Sequence, residues 1–210
     1  MHSDIPAAGE FRSASNVFWR GTQLEKTFYR GIKIMSTQPE ISDVGAAAGA
    51  LVFLRGEKGA DFAEIHSSLL QQDGVTAGIP VFGDWNILLR LAAKDRESLK
   101  QLIEERIRSV KDVEDLEAQY CEKTWTAAGG GAERKAAIYA VLDVDSGRLS
   151  DITARLRAMD GVTEGNVTNG GKNIVLFLRG DSPREIQNVV SGEIRMLPGV
   201  LRIKLLNTIN

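Results

Sequence analysis

An internal repeat constrains the fold of this chain more than any other sequence feature. A stretch that begins at Asp73 recurs without a gap, and adding 87 to each residue number gives its partner. The identical positions are Asp73, Gly74, Val75, Thr76, Gly78, Gly83, Asn86 and Ile87, matched by Asp160, Gly161, Val162, Thr163, Gly165, Gly170, Asn173 and Ile174. The same register pairs Leu69 with Leu156 and Leu91 with Leu178. Such self-similarity predicts one structural module that occurs twice.

Composition is compatible with two small modules. The 210 residues are 43% hydrophobic and 26% charged, which is typical of a globular protein. A module of about eighty residues buries only roughly 60% of its unfolded surface, so packing against a second copy stabilises it. The net charge of -2 argues against a nucleic-acid or membrane partner for the whole surface. Cys121 is the single cysteine and no apolar run is long enough to span a bilayer, so we predict a cytoplasmic protein.

Each copy shows the same order of predicted elements. A continuous apolar run such as Ala50–Leu54 predicts a strand that is covered on both faces. A helical pattern, two strands joined by a turn, a second helix and a last strand follow. We therefore predict βαββαβ modules at residues 46–123 and 134–210. The Gly-rich segment 124–133, which includes Trp125, is predicted to be a flexible linker with no core of its own.

This order of elements predicts an α+β fold. In a ferredoxin-like module both helices cover one face of a four-stranded antiparallel sheet, and the other face stays bare. Leaving four large apolar side chains of that face in water would cost roughly 6 to 12 kcal/mol, which is comparable with the net stability of a domain. We therefore predict tandem ferredoxin-like βαββαβ modules packed sheet-on-sheet as a dimeric α/β barrel within one chain. Pro80 cannot donate a hydrogen bond and is predicted to lie at a sheet edge.

Residues 1–45 form an irregular N-terminal arm that mixes basic and aromatic side chains. Phe18, Trp19 and Arg20 are an example, and Glu25 is the one acidic residue among the basic positions from Arg12 to Lys33. Such an arm is compatible with a contact to nucleic acid or to an acidic partner. The interpretation that we favour is a tail without stable structure.

The pattern of the two modules resembles a known family. Each module has a helix that ends in Asp-Gly-Val, a hairpin motif of the form Gly-x-x-acid-or-amide-apolar, and a second helix; in the second copy that helix ends at Pro198-Gly199-Val200. This pattern resembles the Lrp/AsnC ligand-binding module, also called the RAM domain, which is similar to ACT domains. The resemblance covers residues 46–122 and 134–209. It implies a dimeric α/β barrel that binds amino acids or related small molecules. The family's regulators carry a helix-turn-helix, which residues 1–45 lack, so direct operator binding is not implied.

The resemblance also implies a position for the ligand. In the family the effector lies near the hairpin turn, between paired modules. The residues that correspond are Gly83, Asp84, Asn86, Gly170, Gly171 and Asn173. Glycine leaves backbone amides open to a carboxylate, and the asparagine amide can orient it. The alternative, which we favour, is that the glycines form the turns and the asparagines satisfy the turn backbone.

Other chemically reactive residues give weaker signals. The register partner of His66 is Thr153, so a second histidine to complete a metal site is missing, and we predict a partly buried packing histidine. The partner of Cys121 is Thr208, and we predict a structural role for this thiol. The sequence predicts no catalytic residue, no metal site and no cofactor.

The functional prediction is a non-catalytic small-molecule sensing, regulatory or assembly protein whose barrels self-associate. The alternative is an enzyme of the dimeric α/β barrel group, either a haem-dependent or a cofactor-free oxygenase. A third interpretation makes the arm at residues 1–45 a contact to RNA or DNA, with the barrels as a scaffold.

Overall fold

The computed structural model describes residues 48–127 and 135–208, all within one compact unit. The predicted arm at residues 1–45 and the linker residues 128–133 lie outside the described residues. No helix in the described ranges is both long enough and apolar enough to cross a membrane.

The two modules contain the predicted elements in the predicted order. The first module consists of β1 (Ala48–Gly56), α1 (Phe62–Leu70), β2 (Val75–Phe82), β3 (Ile87–Ala93), α2 (Arg96–Gln101) and β4 (Val113–Thr126). The second consists of β5 (Ala136–Val144), α3 (Leu149–Ala158), β6 (Val162–Thr168), β7 (Asn173–Gly180), α4 (Pro183–Gly192) and β8 (Val200–Thr208). A π-helical stretch, Leu102–Ile107, continues α2. Short 3-10 turns occur at Ser146–Arg148, Asn169–Gly171 and Ile194–Met196.

Local sequence signals explain where the helices begin and end. The side chains of Asp61, Asp95 and Ser182 accept hydrogen bonds from backbone N–H groups in the first turns of α1, α2 and α4. These bonds satisfy donors that a helix leaves without an internal partner. The repeated glycines Gly74 and Gly161 have φ angles of 90° and 84°, which a side chain would disfavour, and they follow the first helix of each module.

The eight strands form one closed antiparallel barrel in the order β1-β3-β2-β8-β5-β7-β6-β4. Each module contributes four neighbouring strands in the ferredoxin-like order. The modules also join at their edges, since β4 pairs with β6 over Cys121–Thr126 and β2 pairs with β8 through Val81 and Phe82. Pro80, which lacks an N–H, lies just before the short β2–β8 pairing, at the edge of its module's sheet as predicted.

Three hydrophobic cores correspond to the three apolar layers of this fold. Two of them lie between the helices and the sheet of each module. The third fills the barrel interior, where residues of both modules meet: Leu51, Phe53, Val81, Leu88, Tyr139, Val175, Phe177 and Leu206. The ring centroids of Tyr139 and Phe177 lie 4.7 Å apart in this core. The interior core contains the apolar sheet faces whose mutual burial was predicted, and the α+β fold with tandem ferredoxin-like modules is confirmed.

The start of the linker requires a correction. Strand β4 continues through Thr126, and Trp125 is 6% exposed within the core of the second module. The prediction that segment 124–133 has no core of its own is therefore wrong at Trp125. The reason is the partner strand, because Trp125 lies opposite Gly165 of β6, where the missing side chain leaves room for the indole.

Candidate functional site

A cavity of about 540 Å³ lies at the end of the barrel where the two hairpin turns meet the closing strands. Its volume is within the range of small-molecule sites. The polar and aromatic side chains that line it come from both modules: Phe53, Asp84, Trp85, Glu117, Gln119, Asp143, Asn173, Arg202 and Lys204. The cavity therefore combines carboxylates, cations, amides and aromatic rings.

Two ion pairs involve the cations of this cavity. Lys204 Nζ lies 2.8 Å from Asp84 Oδ2 and joins β8 to the first hairpin turn, while Arg202 Nε lies 2.7 Å from Asp143 Oδ2. The hydrogen bond from Lys204, together with its charge, lowers the pKa of Asp84 below its usual value. The Lys204 ammonium also lies 5.8 Å from the centre of the Trp85 ring. Both cations are thus already engaged by carboxylates of the chain.

Two of the six predicted ligand residues line the cavity. Asp84 reaches it from the first hairpin turn and Asn173 from the start of β7. The Asn173 side chain donates to Asp143 Oδ1 at 2.7 Å and accepts from Asn169 Nδ2 at 2.8 Å. The structure therefore brings one predicted residue of each module to the same site.

The other four predicted residues do not line this cavity. Gly83, Gly170 and Gly171 have φ angles of 129°, 68° and 77°, which glycine adopts readily. Asn86 Oδ1 accepts a hydrogen bond from the backbone N–H of Gly56 at 3.0 Å, so its side chain fixes the end of β1. These contacts agree with a role in the turns, and ligand contact at the four positions stays a prediction.

His66 and Cys121 show no sign of reactive chemistry. His66 is 5% exposed, and its Nε2 donates to the carbonyl oxygen of Gly78 at 3.0 Å, as suits a packing histidine. Burial raises the pKa of the Cys121 thiol to about 11, so the thiol is protonated near neutral pH. Within residues 48–127 and 135–208, no group of three or more His, Cys, Asp or Glu side chains is placed to hold a metal ion.

A buried polar network inside the barrel was not predicted. The Arg90 guanidinium on β3 is hydrogen-bonded to Glu164 on β6, with only 11% and 8% of the two side chains exposed. Asn166 Nδ2 donates to Glu164 Oε1 at 2.8 Å, and Thr124 Oγ1 donates to Asn166 Oδ1 at 2.8 Å. The network links the modules across the barrel. The sequence signal for this network was Arg90, a single arginine within the otherwise apolar strand β3.

The charges of this network are set by burial and by proximity. Burial lowers the pKa of Arg90, but the oxygens of Tyr139 and Glu164 raise it by more, so the net shift is upward. Burial raises the pKa of Tyr139, and the nearby Arg90 guanidinium only partly opposes this effect. Arg90 therefore stays positively charged in the barrel interior, beside a neutral tyrosine hydroxyl.

Comparison with known families identifies the first module. Residues 48–126 match the model of the Lrp/AsnC ligand-binding domain. The first module is an Lrp/AsnC ligand-binding domain. The second module repeats its element order and completes the barrel with it. A comparison with curated proteins found no match.

A comparison with solved structures found proteins of similar fold. The siroheme decarboxylase NirDL is similar with a TM-score of 0.58 and 12% identity, covering 78% of this chain and 72% of that chain. Its complex with an iron-uroporphyrin III analogue gives a TM-score of 0.57 at the same identity and coverage. An anthrone oxidase-like protein has a TM-score of 0.47 and 11% identity, covering 81% of this chain and 94% of that chain. At these identities the likeness to NirDL shows the fold alone.

Proposed function

We propose that the barrel is a non-catalytic binding module for a small, amino-acid-like molecule, which occupies the cavity at the hairpin end. The observation that carries this proposal is the lining, where Asp84, Glu117 and Asp143 share one cavity with Arg202 and Lys204. A molecule with both an ammonium and a carboxylate group is complementary to a cavity lining that contains both carboxylates and cations. The match of the first module to a ligand-binding domain family supports a binding or regulatory role.

The cavity is less suited to the type of ligand seen in NirDL. Uroporphyrin is a tetrapyrrole rich in carboxylates, whereas this cavity has three carboxylates and two cations in its lining. Like charges in a partly desolvated site repel one another. We therefore favour binding of an amino-acid-like molecule over the oxygenase and decarboxylase type of activity.

Isothermal calorimetry with the twenty standard amino acids tests the proposal. We expect at least one of them to bind and its affinity to fall about tenfold or more in Arg202→Gln, because a charge-assisted hydrogen bond to the ligand carboxylate is lost. Arg195→Gln is the matched control, since Arg195 is exposed on a 3-10 turn away from the cavity. Absence of heat and of a thermal shift with all twenty would refute the proposed function.

We also propose that copies of the barrel associate edge to edge. Within the described residues, β4 pairs with β6 only from Cys121 onward and β8 pairs with β2 only at Asn207 and Thr208. The first halves of both strands therefore present an unpaired edge. These halves differ in charge, since β4 contains Glu114 and Asp115 where β8 contains Leu201 and Arg202. Pairing of β4 with β8 of another copy brings opposite charges together, whereas symmetric pairing brings like charges together.

Light scattering after size-exclusion chromatography tests this association. We expect a particle larger than the 22.9 kDa chain, and in Leu201→Glu a mass closer to that of a single chain, because the new carboxylate would lie beside the acidic strand β4 of the neighbouring copy. Leu201 is 72% exposed, and Met196→Glu is a matched control because Met196 is 73% exposed but outside the strand. A wild-type mass of one chain at every concentration would rule out the association.

A further inference from the structure

One carboxylate of the cavity differs from the other two in its partners. Asp84 is paired with Lys204 and Asp143 with Arg202. Glu117, on β4, has no cationic group within 4.0 Å among the described residues. Three carboxylates and two cations leave the lining with a net charge of -1, and the unpaired charge is that of Glu117.

The Glu117 carboxylate is nevertheless held in place by its surroundings. Gln119 Nε2 donates to Glu117 Oε1 at 2.7 Å, and Gln119 is only 3% exposed. The other end of the same amide, Oε1, accepts from Thr168 Oγ1 at 3.0 Å, and Thr168 is fully buried. Because Gln119 is fixed from β6, it orients one Glu117 oxygen. The second oxygen, Oε2, makes no hydrogen bond within the described ranges.

We infer that Glu117 is the subsite for a protonated amine of the bound molecule, an inference that rests on the proposed binding function of the cavity. An ammonium group offers three donors, and an oriented carboxylate without a cation is the complementary acceptor. A ligand carboxylate meets weaker partners, since Arg202 and Lys204 are each shared with an acidic side chain of the chain itself. The cavity is therefore selective for molecules with a free amino group over the corresponding acids.

The selectivity is measured with two probes of equal length and opposite charge. Calorimetry compares n-butylamine and butyrate on the wild-type chain, on Glu117→Gln and on Glu114→Gln. Glu114→Gln is the matched control because Glu114 lies on the same strand, is exposed, and is paired with Arg55 outside the cavity. We expect n-butylamine to bind more tightly than butyrate to wild type and to the control. In Glu117→Gln its affinity is expected to fall about tenfold, because a charge-assisted hydrogen bond is lost.

The outcomes separate this inference from the proposed function. If n-butylamine binds wild type and Glu117→Gln equally well, or binds no better than butyrate, the amine subsite is refuted even when an amino acid binds the cavity. If amino acids fail to bind but n-butylamine shows the Glu117 dependence, the subsite holds and the amino-acid-like ligand class is wrong. An unchanged circular dichroism spectrum of Glu117→Gln verifies that the variant is folded.

Discussion

Replacing Arg90 with methionine is expected to lower the free energy of unfolding by about 3 to 5 kcal/mol, because Glu164 is left buried without its cation. Only 8% of the Glu164 side chain is exposed, so water cannot replace the guanidinium. Asn166 remains as a neutral donor to Glu164 Oε1, which is not sufficient to balance a carboxylate charge. Urea unfolding followed by circular dichroism measures the change.

A double variant shows whether the loss comes from the unpaired charge. In Arg90→Met with Glu164→Leu the carboxylate is gone as well, and we expect at least half of the lost stability to return. The remaining loss is assigned to the amide of Asn166, which is 4% exposed and loses its acceptor. Arg184→Met on α4 is the control, since Arg184 is exposed, and we expect a change within about 0.5 kcal/mol. Equal losses in the single and double variants would contradict this explanation.

The sequence predicted the fold because the relevant signals are local and occur twice. Glycines such as Gly74 and Gly161 end the first helix of each module, and capping residues such as Asp61 and Ser182 begin others. Ferredoxin-like topology then leaves one bare apolar face per module, which predicts a barrel core between the modules. Local signals cannot show how the edge strands of one module pair with those of the other. The length of β4 up to Thr126 depends on pairing with β6, a strand far along the chain.

The candidate site was predicted only in part, for a related reason. Asp84 and Asn173 were found because they lie in the repeated hairpin motif. Glu117, Arg202 and Lys204 were missed because charged residues that alternate along a strand look like an ordinary solvent-facing side. Barrel closure turns that side toward a cavity between modules. A comparison of the two copies position by position would have drawn attention to these residues, since Glu117 occurs where the second copy has the oppositely charged Lys204.

Gly165→Ala is expected to destabilise the chain by about 3 kcal/mol, the cost of overfilling a closely packed core. A Cβ atom at position 165 would lie 2.0 Å from Cζ2 of Trp125. Only a displacement of the whole indole ring relieves that contact. Trp125 is 6% exposed and packs in the core of the second module, with the Arg157 guanidinium 5.1 Å from its ring. Its displacement would also disturb the β4–β6 pairing that closes the barrel.

The size of the Trp125 ring, rather than the backbone at Gly165, decides this effect. Trp125→Phe removes the ring atoms that the new Cβ would contact and also removes an indole N–H that is buried without a partner. Gly165→Ala is therefore expected to cost less in the Trp125→Phe background, with a coupling of about 1 kcal/mol or more by a double-mutant cycle in urea. Gly192→Ala, where a Cβ would meet nothing within 4 Å, is the control and should change stability little. Additive losses would contradict this explanation, and the pairing of Trp125 with Gly165 would then not explain how β4 joins the second module.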